Sequence, residues 1–199
     1  MSLGRHCRHP GQKLRLRDEL PVCATYRCWP HNAVFLQGLR AALFADPLTR
    51  QSQAGPPPVE GLKAFARVYA GWAYSQAFYR KELYRGLGFA DQAALLDYWE
   101  QDHLGQDAHD LLAMLAAWEA AAGHDLEALG QVEAETVYMP ARTDLYFTVE
   151  DARAEVAKIA NARTRVLESE YGHAAGAPGR VVASTAQWLT AMGDLLCSG

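Results

Sequence analysis

The spacing of the apolar residues along this chain changes several times, and each change predicts a different kind of element. Residues 20–26 are a short, largely apolar run, which predicts a buried strand. From Pro30 onwards apolar residues recur every three or four positions, which predicts a helix that ends at Asp46-Pro47. Residues 50–58 contain three consecutive prolines and predict a loop, because proline cannot continue a helix.

The stretch from residue 60 to residue 122 keeps a helical spacing almost throughout. Asp91 and Asp107 each stand before a new apolar stripe and are predicted N-caps, and Gly123 is the predicted end of the last helix. The stretch also holds eleven aromatic residues. They predict either a packed helical core or a helical cap whose inner face lines an apolar cleft.

After residue 131 the pattern becomes strand, helix, strand, helix. The predicted strands are 135–140 and 164–168, and the predicted helices are 150–160 and 181–196. This order is a βαβ unit with one further helix, so we expect parallel strands joined by a right-handed crossover. The predicted fold class is therefore α/β. The predicted layout is a basic leader at 1–19, a core strand at 20–30, a helical cap at 31–130 and the βαβα unit at 131–199.

Composition and charge exclude several classes of protein. The chain has 199 residues, of which 50% are hydrophobic and 21% charged, and no apolar run is long enough for a membrane span. A net charge of −4 argues against a dedicated nucleic-acid binder. Four cysteines without a C-x-x-C pair are too few for a disulfide scaffold or a zinc knuckle. With no secretory signal, we expect a cytoplasmic location and reduced thiols.

The first 17 residues hold five basic side chains and no acidic one. A basic, acid-free N-terminus is typical of a transit peptide. Here the pair Pro10-Gly11 interrupts the amphipathic helix that such a peptide needs. We therefore expect a basic, disordered leader.

Two polar residues stand where the two strands of the βαβ unit end. Asp144 follows the first of these strands and His173 follows the second, one strand–helix–strand step later. Because the carboxyl ends of adjacent parallel strands lie together, we expect the carboxylate to meet the imidazole and to prepare it as a base. The alternative is that Asp144 caps a turn and His173 is an ordinary loop residue.

Other candidates are weaker. His103 and His109 do not share a helix face, so they and Asp107 do not predict a metal site, and none is predicted elsewhere. Cys23, in the first predicted strand, is interpreted as a small buried apolar residue. Ser75 is interpreted as a mid-helix residue of the helical cap.

Several segments resemble the homoserine O-acetyltransferase-like branch of the α/β-hydrolase family. The resemblance covers roughly residues 20–198. Thr143-Asp144-Leu145-Tyr146-Phe147 is similar to the acid motif of that branch, and Gly172-His173 to its histidine motif. The segments that resemble the region after its sixth strand and its helical lid are residues 30–43, 65–72, 75–80 and 110–115.

This resemblance implies the C-terminal part of an α/β-hydrolase fold, with a short parallel sheet and an inserted helical lid. It implies that Asp144 is the acid and His173 the base of a catalytic triad in serine acyl transfer. It also implies a small-molecule ester or acyl-acceptor substrate. Acetyl-CoA would then be an acyl-donor substrate, and no resident cofactor is expected.

The chain departs from the family at the nucleophile. No serine or cysteine lies in a G-x-S-x-G frame, although Ser2-Leu3-Gly4 matches its second half. Two interpretations stay open. The chain is either the C-terminal portion of an acyltransferase or hydrolase that is inactive alone, or a non-catalytic fragment that docks on a partner. In both cases we expect an exposed sheet edge that favours an oligomer or a partner chain.

Overall fold

A computed structural model describes residues 18–51, 55–177, 179 and 181–197. The leader was predicted at residues 1–19, and its first 17 residues, with the partial elbow at Ser2, lie outside the described residues. Asp18 and Glu19 form a short strand, so the predicted leader does not extend over them. Within them, no helix is both long enough and apolar enough to cross a membrane.

Three short parallel strands form one sheet in the order β1-β2-β3. These strands are β1 (Asp18–Glu19), β2 (Glu135–Tyr138) and β3 (Ala162–Thr164). Glu19 pairs with Thr136, and Tyr138 pairs with Thr164. The parallel arrangement predicted for the βαβ unit is therefore confirmed.

The strand predicted at residues 20–26 is wrong as a regular strand. Only Val22 continues the pairing, through an isolated bridge to Met139. Pro21 has no amide hydrogen to donate, and Cys23 adopts a left-handed conformation with φ of 47°. The chain therefore turns away from the sheet at Cys23, whose amide donates to the Met139 carbonyl at 3.0 Å.

The last strand begins two residues earlier than predicted and ends at Thr164. Beyond it, Leu167 still pairs with Ala141 through an isolated bridge. Pro140 lies between the end of β2 and the bridge at Ala141, and it has no amide hydrogen to donate to the opposite strand, so the ladder is interrupted there.

Seven α-helices complete the described fold. They are α1 (Pro30–Phe44), α2 (Val59–Ala73), α3 (Gln76–Arg80), α4 (Gln92–Leu104), α5 (Ala108–Ala120), α6 (Val149–Val156) and α7 (Val182–Leu196). The predicted N-caps at Asp91 and Asp107 are confirmed, since each side chain accepts a hydrogen bond from a first-turn amide. Short 3-10 turns connect several of the helices.

Two hydrophobic cores meet at the ends of the strands. Helices α1, α2, α4 and α5 enclose an aromatic core around Phe35 and Phe65. A second core lies between the sheet and α7, around Val137 and Met139. Tyr171 packs against both cores, and Tyr146 belongs to the first, where its ring stacks on Phe35 at 4.7 Å.

A buried carboxylate holds the segment between β1 and α1 in place. Glu155 of α6 is fully buried and accepts hydrogen bonds from the Tyr26 amide at 2.7 Å and the Trp29 indole nitrogen at 3.0 Å. This contact joins residues more than 120 positions apart, and no local pattern predicts it.

Candidate active site

Three chemically reactive side chains meet where the strands end. Cys23 follows β1, Asp144 follows β2 and His173 follows β3. One polar atom from each lies within 4.8 Å of the other two. The carboxyl edge of this parallel sheet therefore gathers groups that are far apart in the sequence.

Asp144 is buried and oriented by the backbone. Its Oδ1 accepts hydrogen bonds from the amides of Tyr146 at 2.7 Å and Phe147 at 3.2 Å. Its Oδ2 lies 3.0 Å from His173 Nδ1. The predicted meeting of carboxylate and imidazole is therefore present, with one oxygen fixed by the backbone and the other directed at the ring.

His173 is held by a tight turn and two aromatic rings. It lies in the 3-10 turn Gly172–Gly176, and its ring is 4.8 Å from that of Tyr146 and 5.4 Å from that of Phe147. Gly172 has φ of 64°, and a Cβ there would lie 2.7 Å from the Ser75 amide nitrogen. Only glycine fits this turn.

The Asp144 contact prepares His173 as a base. A carboxylate facing Nδ1 favours a proton on that nitrogen and leaves the Nε2 lone pair available to accept one. The His173 side chain is 30% exposed, whereas the Asp144 side chain is fully buried. The arrangement can therefore exchange a proton at the imidazole while the carboxylate stays out of solvent.

A cavity of about 540 Å³ opens beside His173. Two aromatic side chains of the helical region, Tyr69 and Trp99, form part of its wall, together with Phe147 from the segment between β2 and α6. Most of the other aromatic residues pack in the helical core. The two interpretations of the aromatic stretch are thus both partly correct.

Cys23 is the member of the site that the sequence interpretation missed. It is buried as expected, but its thiol faces Asp144, and burial together with that carboxylate raises its pKa to about 12. A thiol that stays protonated at neutral pH is a poor nucleophile, so Cys23 does not replace the missing serine. Because Cys23 also follows a strand, the argument that the carboxyl ends of adjacent parallel strands lie together applies to it as well as to Asp144 and His173.

The remaining candidates do not join the site. Ser75 is the N-cap of α3 and not a mid-helix residue, and its hydroxyl accepts from the Phe78 amide and donates to the Glu170 carbonyl. His103 is buried and bonds to the Trp99 carbonyl at 2.9 Å, whereas His109 lies near Gln51. These two histidines therefore have separate partners.

No protein-family model matches the chain, but two curated relatives do. The chain is 30% identical over 162 residues to a probable esterase of Corynebacterium glutamicum, which covers 77% of this chain and 46% of the relative. It is 30% identical over 164 residues to the ethyl acetate hydrolase of Pseudomonas veronii, covering 76% and 46%. The chain spans about half the length of the curated relatives it matches.

Solved structures with folds similar to that of this chain include an esterase and an acetyltransferase. The acetyl esterase MekB has a TM-score of 0.82 and 27% identity, over 91% of this chain and 55% of that one. Homoserine O-acetyltransferase from Bacillus anthracis shares the fold, with a TM-score of 0.67 and 20% identity over 79% and 48% of the chains. The short parallel sheet and helical region are therefore part of an α/β-hydrolase fold. The chain belongs to the α/β-hydrolase superfamily, and the two curated relatives that it matches are named as a probable esterase and an ethyl acetate hydrolase.

Proposed function

We propose that this chain provides the acid and the base of a serine ester hydrolase. The observation that carries the proposal is the contact of 3.0 Å between Asp144 Oδ2 and His173 Nδ1 beside an open cavity. In this role Asp144 is the triad acid and His173 the triad base.

The proposed reaction proceeds in two proton-balanced stages. His173 Nε2 accepts the proton of a serine hydroxyl as its oxygen attacks the ester carbonyl. The imidazolium, stabilised by Asp144, then protonates the departing alcohol and leaves an acyl-serine. Water attacks the acyl group in the same way, with His173 again taking and returning the proton.

The serine of this reaction lies in a G-x-S-x-G turn that the chain does not contain. One amide of the oxyanion hole belongs to the residue after that serine. We therefore propose that the chain is inactive alone and works with a polypeptide segment that carries the elbow. Among the described residues β1 is paired on one side only, and its open side is the edge where such a segment would add a strand.

For the substrate we propose a small, neutral acetate ester with water as the acceptor. Two matched proteins are named as an ethyl acetate hydrolase and an acetyl esterase. No lysine or arginine is among the described residues that line the cavity beside His173. Transfer from acetyl-CoA to homoserine is the second candidate, but it requires binding of phosphates and of a carboxylate, for which cationic side chains are the usual partners. We place the reaction in the cytoplasm, in keeping with the free thiols of Cys23 and Cys28.

Fusing the chain to the unmatched half of the Pseudomonas veronii hydrolase tests this proposal. We expect the fusion to hydrolyse ethyl acetate and the chain alone not to. Replacing His173 by alanine should lower kcat on the order of 10⁴-fold. The control is His109→Ala, which changes a histidine distant from Asp144.

The outcomes separate the two interpretations of the chain. A folded fusion whose hydrolysis survives His173→Ala would overturn the proposed base. A folded fusion that binds an acetate ester analogue without hydrolysing it would favour the non-catalytic interpretation.

A further inference from the structure

The cluster at the strand ends contains three different kinds of metal ligand. Cys23 offers a sulfur, His173 a ring nitrogen and Asp144 a carboxylate oxygen, and these atoms all lie within 4.8 Å of one another. We propose that Cys23, Asp144 and His173 bind a zinc ion. Sulfur and nitrogen ligands favour Zn²⁺ over Mg²⁺ or Ca²⁺, which prefer oxygen.

The distances suit tetrahedral coordination. Zinc bonds of about 2.0–2.1 Å to nitrogen and oxygen place those two ligands about 3.3 Å apart in a tetrahedron. His173 Nδ1 and Asp144 Oδ2 are 3.0 Å apart. The three ligand atoms lie within 4.8 Å of one another, so a closure of at most roughly 1 Å brings the sulfur to the sulfur–nitrogen spacing of a zinc site.

Charge balance favours a divalent ion at this buried position. A Cys23 thiolate and the Asp144 carboxylate carry two negative charges, which neutralise Zn²⁺, and neutral His173 adds none. Both anionic ligands are almost completely buried, and a charge left unpaired there would be costly. Without the ion, the thiol keeps its proton.

Groups around the ligands already hold them in orientation. The amides of Tyr146 and Phe147 engage Asp144 Oδ1, so Oδ2, which faces His173, is the oxygen that would bind a metal. The backbone of Ala141 and Gly176 lowers the pKa of the Cys23 thiol, which partly offsets the rise caused by burial and by Asp144. Such outer partners orient ligands in established metal sites. The cavity that Cys23 and His173 line provides the entry path and room for a water as the fourth ligand.

Zinc would displace the arrangement proposed for ester hydrolysis. The thiol of Cys23 releases its proton to solvent on binding. The ring proton of His173 moves from Nδ1 to Nε2, because Nδ1 then binds the metal. Nε2 can no longer accept a proton, so the zinc form is inactive as a base. The proposal does not depend on the hydrolase activity, since the metal site uses only residues of this chain.

Titration of the purified full chain with Co²⁺ tests the site without any catalytic measurement. Tetrahedral Co²⁺ bound through a thiolate produces a thiolate-to-metal charge-transfer band and strong visible bands. We expect the wild-type chain to show the charge-transfer band and the visible bands, with saturation at one Co²⁺ ion per chain. Zn²⁺ should abolish these bands by competing for the site. We expect Cys23→Ser to lose the charge-transfer band and His173→Gln to lose the visible bands.

Matched cysteine variants make the result specific. Cys197→Ser and Cys7→Ser should keep the full spectrum, and far-ultraviolet circular dichroism should show that every variant is folded. A band that persists in folded Cys23→Ser, or that disappears in Cys7→Ser, would overturn the assignment. If Cys23→Ser fails to fold, Asp144→Asn provides a second test. We expect this variant to bind Zn²⁺ more weakly than the wild-type chain, as measured by competition with Co²⁺. An unchanged Zn²⁺ affinity would refute the site.

Discussion

At the scale of single residues, Asp144 combines a structural and a chemical role. Its Oδ1 caps the two amides of Tyr146 and Phe147, and its Oδ2 faces His173. Because separate oxygens make these contacts, the two roles can be separated by substitution. Together with burial, the same carboxylate raises the pKa of the Cys23 thiol, so four residues interact with one side chain.

We predict that Asp144→Ala lowers the free energy of unfolding by about 2–4 kcal/mol, because two largely buried amides lose their acceptor. Asp144→Asn keeps a carbonyl oxygen for those amides and should cost less than half as much. In the fusion protein both variants should lose hydrolysis, on the order of 10⁴-fold. Urea unfolding and ester hydrolysis measure the two effects. Equal destabilisation by both variants would show that Oδ1 is not the stabilising acceptor.

At the scale of elements, the turns and caps determine where the reactive groups lie. Gly172 begins the turn that carries His173, and Gly88 ends the 3-10 turn after α3; both have positive φ. A Cβ at Gly172 would meet the Ser75 backbone at 2.7 Å, whereas a Cβ at Gly88 would meet nothing within 4 Å. Gly88 is therefore a control for Gly172, because both have positive φ and only Gly172 lacks room for a Cβ.

We predict that Gly88→Ala destabilises the protein by about 1–2 kcal/mol, the cost of a left-handed conformation for alanine. Gly172→Ala adds a backbone overlap and should cost at least twice as much. It should also change the NMR signals of His173, whereas Gly88→Ala should not. Chemical denaturation and histidine ring spectra are the measurements. Similar losses in the two variants would contradict the close approach at Gly172.

The segment after β1 depends on α6 through Glu155. We predict that Glu155→Ala lowers the free energy of unfolding by about 3 kcal/mol or more, because the Tyr26 amide and the Trp29 indole lose a buried acceptor. Glu155→Gln retains one oxygen and should cost less. Urea unfolding of the two variants provides the comparison, and a neutral Glu155→Ala would refute the anchoring role.

At the scale of the whole molecule, buried thiol and phenol groups link stability to alkaline pH. Burial raises the pKa of Cys23 to about 12 from a usual value of 9.0. Burial also raises the pKa of Tyr69 and Tyr146 above their usual 10.0. In each case the folded state holds its proton more tightly than the unfolded state does.

These groups contribute to the free energy of unfolding as long as they stay protonated. We therefore predict that their contribution is complete below about pH 9 and falls as the pH rises from 9 towards 12. The unfolded chain loses its protons first, which lowers its free energy relative to the folded chain. Thermal melts from pH 7 to pH 11 measure the effect, with tyrosinate absorbance as a second signal. In Cys23→Ala the decline should be shallower. A melting temperature that rises across this range would contradict the prediction.

The sequence by itself predicted the helices with clear periodicity and caps, such as α4 behind Asp91, because those signals are local. It also predicted that Asp144 and His173 would meet, since one βαβ step fixes how adjacent parallel strands end. It did not predict that Ser75 would be an N-cap, because the broad helical pattern hides the break between α2 and α3.

Only the tertiary structure decided the place of Cys23 and the anchoring by Glu155. Cys23 lies 121 positions before Asp144, and the two-residue β1 is too short to leave a reliable pattern. Its left-handed backbone and the close approach of Gly176 arise from packing between distant segments. Local periodicity reports which face of an element is buried, whereas the meeting of three strand ends depends on the register of the sheet, which is a property of the folded chain.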